Sequence, residues 1–515
     1  MRFQDIFLSA LSGFLLILAF PKPNLEILAW IAFVPWLWAL RKKSPLRAAY
    51  LGLVTGLVFF TGLLYWIYVV LTEYGHLPGA VSIFFLIVLT TYLSLYFSAF
   101  AFFLRWAAEK TELPETLFAP PLWVSLEYVR GFLLSGFPWG LLGYSQFLTL
   151  PMVQISDVTG IYGVSFIIVL VNVSLYRLVA ASSEHRGKSV LKELLAAGII
   201  LALTAVYGQW RLVEPDKKAQ DEKPFLVALV QGNIRQDVKW ETQFQEETVR
   251  IYTDLTRQVS SQHPDLIIWP ETATPFFFQN VLPFRDRILE LSHEMGVPIL
   301  FGAPAFDRDG SGINYFNSAF LISPEKKILG RYDKVHLVPF GEYAPLAGVL
   351  GFTRDIIGAI GDFTPGAGPH NLTLPGGKFG VLICYEAIFP DLTRRFVDRG
   401  AEFLVNITND AWFGRTAAPY QHLSMATLRA VENHVPIARA ANTGISALID
   451  SRGRVVQSTD LFTREVLSGK IKLKKSRTFY TEFGDVFTYL CAGFSVLFLI
   501  LIRRKGLNRV ERSTR

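Results

Sequence analysis

Cysteine is nearly absent from this sequence, with two residues in 515, Cys384 and Cys491. Because Cys491 falls inside an apolar segment, a disulfide framework is excluded, and the pair is compatible with any compartment. Histidine is also sparse, with 8 residues scattered without metal-ligand spacing. His422 and His434 share one helical region but read as structural, so no metal site is expected. Charged residues make up 18% of the chain, against about 25% in ordinary soluble domains. No internal repeat or low-complexity tract is present, which excludes solenoids and fibrous arrays. No small-residue cleavage pattern follows the first apolar run, which therefore reads as a retained helix and not as a signal peptide.

What the chain has in quantity is apolar surface. Hydrophobic residues make up 51% and the mean hydropathy is +0.34, too apolar for a soluble protein of this length and the mark of a membrane class. The formal charge of +7 and pI near 9.2 raise the question of nucleic acid. The basic residues, however, cluster beside apolar segments, which is a topological signature. Apolar runs occupy Phe3–Phe20, Leu25–Leu40, Tyr50–Leu71, Ala80–Leu104, Pro120–Leu134, Ile161–Leu178 and Leu191–Tyr207, with a last at Val486–Ile502. Each approaches the ~20 residues that cross a ~30 Å hydrocarbon core, the second and fifth being short, which predicts about eight spans. Arg41, Lys42, Lys43 and Arg47 follow the second run, Arg105 and Lys110 the fourth, and Arg177, Arg186, Lys188 and Lys192 the sixth. Arg503, Arg504, Lys505, Arg509, Arg512 and Arg515 follow the last, while the alternate loops hold almost none. That bias places both termini in the cytoplasm and the polar stretch between the seventh and last spans outside it. Within the fifth run, Glu127 and Arg130 share a helix face and are expected to pair in the bundle.

The expected organisation is a transmembrane bundle over 1–208, a charged linker over 209–224, a folded domain over 225–473, a connector over 474–485, a span over 486–502 and a basic tail over 503–515. Within 225–473, strand-like runs (Phe225–Gln231, Leu266–Trp269, Val297–Gly302, Phe379–Cys384, Phe403–Ile407, Ile437–Ala441) alternate with helix-like ones (Thr242–Gln262, Pro283–Met295, Asp391–Asp398, Pro419–Glu432). Such alternation predicts a layered α/β domain.

Chemistry gathers at the ends of those strands. Cys384 closes the run Val381-Leu382-Ile383, and a cysteine acts as a nucleophile only as thiolate, with a base or positive charge beside it. Glu271 closes Leu266-Ile267-Ile268-Trp269-Pro270 and supplies a candidate base. Lys334, in Arg331-Tyr332-Asp333-Lys334, supplies a charge to stabilise a thiolate or oxyanion. Glu342, in Pro339-Phe340-Gly341-Glu342, is a further carboxylate near the site. Tyr385 and Glu386 either border the site or cap the turn after the nucleophile.

Glutamate, lysine and cysteine in that chain order, each at the end of a strand or in the loop beyond, resemble the Glu-Lys-Cys triad of the nitrilase superfamily over about Phe225–Lys472. That resemblance implies a four-layer αββα sandwich, with Glu271, Lys334 and Cys384 catalytic and Glu342 orienting the lysine or assisting proton transfer. A narrower resemblance covers nearly the whole chain. Val230-Gln231-Gly232-Asn233-Ile234 with Lys239-Trp240, Cys384-Tyr385-Glu386, Asn409-Asp410-Ala411-Trp412-Phe413-Gly414, Glu127-Tyr128-Val129-Arg130-Gly131 and Ser135-Gly136-Phe137-Pro138-Trp139 are similar to the apolipoprotein N-acyltransferase family. It implies transfer of an sn-1 acyl chain from a phospholipid, typically phosphatidylethanolamine, through a Cys384 thioester to the α-amine of a lipoprotein's diacylglyceryl-cysteine. It also implies a place in the bacterial inner membrane with the α/β domain in the periplasm, Trp240 and Trp412 flanking the lipid entrance, and neither cofactor nor nucleic acid. Two rivals stay open: a membrane-tethered amidase or nitrilase acting on a small soluble amide, and an inactive lipid-presenting scaffold. A tether needs only one helix, and retention of the triad argues against the scaffold.

Overall fold

The computed structural model describes residues 2–182, 187–214, 224–310, 312–343, 363–475 and 477–513. They form two compact units. One gathers Met1–Tyr68, Gly79–Glu214 and Phe483–Arg515; the other gathers Val69–Pro78 and Pro215–Glu482. The charged stretch expected to act as a linker lies, over 215–223, outside the described residues, and the helix before it continues to Val213.

The first unit is helical. Among the described residues, five helices are long and apolar enough to cross a membrane: Pro45–Leu63, Gly79–Lys110, Ile161–Ala181, Val190–Val213 and Val486–Arg504. The other three runs expected to span are shorter as helices. Phe3–Ala19 has 17 residues, or about 25 Å at 1.5 Å per residue. The Leu25–Leu40 run divides into a 3₁₀ turn, Glu26–Trp30, and a short helix, Phe33–Leu40. The fifth run is a helix from Glu115 to Arg130 that contains Pro120 and Pro121. Small residues set how closely these helices pack, as expected where no hydrophobic drive brings helices together in lipid. A Cβ at Gly52 would sit 2.5 Å from the Phe97 carbonyl oxygen, and one at Gly56 would sit 2.8 Å from Ser94. Glu127 and Arg130 do not meet as a direct ion pair; both reach one loop. Glu127 Oε1 accepts from the Leu142 N–H (2.7 Å), while Arg130 donates to the carbonyls of Trp139 (2.8 Å) and Gly140 (3.3 Å).

The second unit is built on two six-stranded sheets. The first takes β1 (Phe225–Gln231), β2 (Leu266–Ile268), β3 (Ile299–Asp309), β4 (Gly312–Ile322) and β5 (Ile328–Asp333). The second takes β6 (Leu372–Leu374), β7 (Gly377–Ile383), β8 (Phe403–Thr408), β9 (Ile437–Ala441), β10 (Ala447–Ile449) and β11 (Val455–Ser458); the last strand, β12 (Glu465–Ile471), returns to the first sheet. The orders are β12-β1-β2-β3-β4-β5 and β11-β10-β9-β8-β7-β6. In each sheet a parallel trio lies at the centre, β1-β2-β3 or β7-β8-β9, flanked by antiparallel strands.

Parallel strands buried on both faces read as continuous apolar runs, which is why these trios stand out in the sequence. From β1, Ala228 and Val230 join Ile267, Trp269 and Phe301 in a core that takes in Val249, Tyr252 and Leu255 from helix Thr242–Arg257 and Ile288 and Leu291 from helix Leu282–Met295. Inside, Phe225 of β1 meets Phe403 of β8, ring to ring at 5.2 Å. On the far side, helix Pro390–Asp398 lays Phe396 over Gly380 of β7, where a Cβ would lie 2.6 Å from that side chain. The layers are therefore helix, sheet, sheet, helix, the αββα sandwich.

Candidate active site

Strand ends place the polar groups. β7 delivers Cys384 into a tight turn, Cys384–Ile388, where the cysteine takes φ +51°. That left-handed conformation is uncommon for a residue with a side chain and marks a constrained position. β2 runs through Trp269 and Pro270 to Glu271, which is 6% exposed, and β5 ends one residue before Lys334, which is 1% exposed.

Four side chains converge there: Glu271, Asn317, Lys334 and Glu342. Lys334 Nζ lies 2.8 Å from Glu342 Oε1 and 3.5 Å from Glu271 Oε1. Asn317, on β4, donates its amide to the same two oxygens, at 2.8 Å each. The other Glu271 oxygen accepts from the Asn409 backbone N–H at 2.9 Å, and the other Glu342 oxygen from that of Val338 at 2.8 Å. Burial works against the Lys334 charge, but Glu342 and then Glu271 more than offset it and hold its pKa well above the ordinary value. It is an ammonium at any physiological pH. For Cys384 desolvation raises the thiol pKa strongly, Glu271 adds to the rise and Lys334 opposes it. The resting group is a neutral thiol that needs a base to react.

Glu386 is fully buried. One oxygen accepts from the Tyr332 hydroxyl (2.8 Å) and the N–H groups of Val335 (2.7 Å) and His336 (3.2 Å), the other from the Ile383 N–H (2.8 Å). These four bonds are the kind a cap on the turn would make, one of the two roles open to it from sequence. It ties the loop carrying Lys334 to the turn carrying Cys384, although burial pushes its carboxyl up to about 7. Tyr385 is half-buried, its ring 5.2 Å from Phe389 and 5.9 Å from His336. Trp240 is 38% exposed. Trp412 is half-buried and meets Tyr74 edge-on at 5.7 Å, within the unit that also holds Val69–Pro78.

Sequence reasoning passed over Asn317, whose only signal is an amide interrupting the apolar end of a strand. It also gave no role to Lys239, a wholly buried lysine that donates to the Glu271 carbonyl at 3.3 Å and that burial pushes down to about 8.

A carboxylate, an ammonium and a thiol at the strand ends of an αββα sandwich define a class, and residues 226–480 match the family described as carbon-nitrogen hydrolase. Residues 12–174 match the family described as the apolipoprotein N-acyltransferase N-terminal domain. The chain is 47% identical to the apolipoprotein N-acyltransferase of Geobacter metallireducens, over 98% of this chain and 96% of that protein. It is 36% identical to that of Methylococcus capsulatus, over 95% of each. Among solved structures, an amidase from Nesterenkonia sp. is 20% identical, covering 49% of this chain and 91% of its own, with a TM-score of 0.37. The chain belongs to the apolipoprotein N-acyltransferase family, and with five apolar helices among its described residues it is a multi-pass bacterial membrane protein.

Proposed function

We propose that this protein transfers a fatty acyl chain from the sn-1 position of a phospholipid, with phosphatidylethanolamine as the expected donor, to the α-amine of a lipoprotein's N-terminal diacylglyceryl-cysteine. The observation that carries the reading is the convergence of Lys334 and Asn317 on one oxygen each of Glu271 and Glu342, in the unit that holds Cys384 at a left-handed turn. Glu271 takes the proton of the Cys384 thiol as sulfur attacks the ester carbonyl. The acyl C–O bond breaks, and the same proton passes to the departing glycerol oxygen, giving a lysophospholipid and a thioester. In the second half the acceptor amine attacks the thioester carbonyl and loses a proton to Glu271; the C–S bond breaks and the sulfur recovers the proton. In both halves the Lys334 ammonium stabilises the oxyanion, and Glu342 holds that ammonium in place.

The apolar helices support lipid substrates. Extracting an acyl chain into water would cost about 0.8 kcal/mol per CH₂, so an enzyme held in the bilayer avoids the largest obstacle. The lysine and arginine bias of the loops supports placing the α/β unit on the periplasmic side of the inner membrane, with Trp240 and Trp412 beside the path of the lipid.

Intact-protein mass spectrometry tests this directly. The detergent-purified protein, incubated with phosphatidylethanolamine, is expected to gain the mass of one acyl group. The gain should be labile to hydroxylamine and absent from Cys384→Ala, while Cys384→Ser should carry at most a hydroxylamine-resistant ester. A folded protein that forms no adduct in the presence of lipid would overturn the reading and turn attention to small soluble amides.

A further inference from the structure

A buried polar cluster behind the nucleophile turn has no part in the acyl transfer described above. The Cys384 carbonyl oxygen lies 3.1 Å from His422 Nε2. A carbonyl can only accept, so Nε2 carries a proton and donates it. On the other side of the ring, Nδ1 lies 3.0 Å from Asp410 Oδ1 and 3.2 Å from Arg439 Nη2. Arg439 also bonds Asp410 Oδ2 at 2.7 Å and reaches Asn406, whose amide donates to the Leu382 carbonyl on β7 at 2.9 Å. All of these side chains are buried. Buried ion pairs of this kind are poor sources of stability compared with apolar packing, so their presence under one carbonyl calls for another role. At Nδ1 a carboxylate that favours a proton faces a guanidinium that opposes it. With either outcome Nε2 keeps its proton, and the bond to Cys384 persists.

We propose that His422 is a positioning residue for the nucleophile: its Nε2–H, braced by Asp410 and Arg439, pins the Cys384 carbonyl and so maintains the left-handed turn that aims the thiol. Because the peptide unit is planar, pinning that carbonyl also fixes the direction of the Tyr385 N–H. In strand-to-helix nucleophile turns the N–H after the nucleophile serves as an oxyanion donor. The inference rests on Cys384 being the reacting residue, as in the reading above.

The test compares the full-length native protein with His422→Phe, which keeps a ring of similar breadth but donates nothing, and His422→Gln, which restores an N–H. Two rates are read: alkylation of Cys384 by iodoacetamide in a Cys491→Ser background, and acyl-enzyme formation at varied phosphatidylethanolamine. His422→Phe is expected to slow both on the order of 100-fold, the scale of a misplaced reacting atom, with KM for the lipid unchanged. His422→Gln is expected to recover most of that loss. A folded Phe variant alkylated at the native rate, or a Gln variant as slow as the Phe variant, would overturn the proposal. If the Phe variant does not fold, the native protein decides it through the ¹⁵N resonances of the His422 ring: a protonated Nε2 supports the clamp and an unprotonated Nε2 removes it. Alkylation needs no lipid, so failure of the acyl-transfer reading would appear as a missing acyl adduct in the native protein and leave the alkylation comparison intact.

Discussion

Asn317 offers the sharpest test of how the buried charges are balanced. Asn317→Asp keeps the shape of the side chain and exchanges a donor for an acceptor, 2.8 Å from an oxygen of Glu271 and 2.8 Å from one of Glu342. Lys334 is already shared between those two carboxylates, so roughly one new repulsion is left uncompensated. At 2.8 Å and an effective dielectric near 20, that repulsion is about 6 kcal/mol. Divided by about 1.4 kcal/mol per pKa unit, it lifts the introduced carboxyl some four units, from about 4 to about 8. The sign follows from linkage. The unfolded chain gives up the proton near pH 4, whereas the folded site keeps it until near pH 8, so unfolding releases a proton throughout that window. The variant should therefore lose stability relative to the native protein by about 1.4 kcal/mol for each unit of rising pH, and come nearest to it in acid. Thermal unfolding in detergent, followed by tryptophan fluorescence for both proteins between pH 5 and 8.5, measures the gap. A gap that stays constant across that range would refute the account of a site in which Asn317 donates to both Glu271 and Glu342.

Desolvation first, and then Glu271, hold the Cys384 thiol above its ordinary pKa. Alkylation of Cys384 by iodoacetamide in a Cys491→Ser background should accordingly keep rising with pH beyond 9, and a plateau near pH 8 would contradict that. In the helical unit, Gly52→Ala places a methyl group 2.5 Å from the Phe97 carbonyl oxygen and is expected to cost about 1–3 kcal/mol through forced separation of the helices. Gly198→Ala, inside helix Gly187–Val213 with nothing within 4 Å of the new Cβ, should unfold no lower than the native protein in the same detergent.

The strands that carry the site were legible because they are parallel and buried on both faces, so β2 and β7 appear as apolar runs with one polar residue at the end. Helix Ala418–Asn433 and helix Leu282–Met295 fall within a residue or two of their expected ends. The antiparallel strands were harder. β4 begins exposed and ends buried, so no single period runs through it, and Asn317, 6% exposed, lies just inside the buried half. β10 to β12 are short, or partly exposed along their length. The contact between His422 and Cys384 spans 38 positions and leaves no local pattern. In the helical unit, hydropathy found the apolar runs but not their breaks. The Leu25–Leu40 run, apolar apart from Glu26, breaks between the 3₁₀ turn at Glu26–Trp30 and the helix at Phe33–Leu40.

The way the two sheets share the site also limits how such a chain can change over generations. Glu271 follows β2 and Lys334 follows β5 of one sheet, while Cys384 follows β7 and Asn409 follows β8 of the other. Lengthening any of these strands by a residue pair would carry its polar terminus on by about 6.6 Å, more than twice the 2.8 Å that joins Lys334 to Glu342. Insertions should therefore survive in the turn between β3 and β4 or at the β10–β11 edge, and be purged from the few residues between each of those four strands and the polar group it delivers. Descendants of this chain can lengthen its rim, but the spacing of its centre has to be inherited whole.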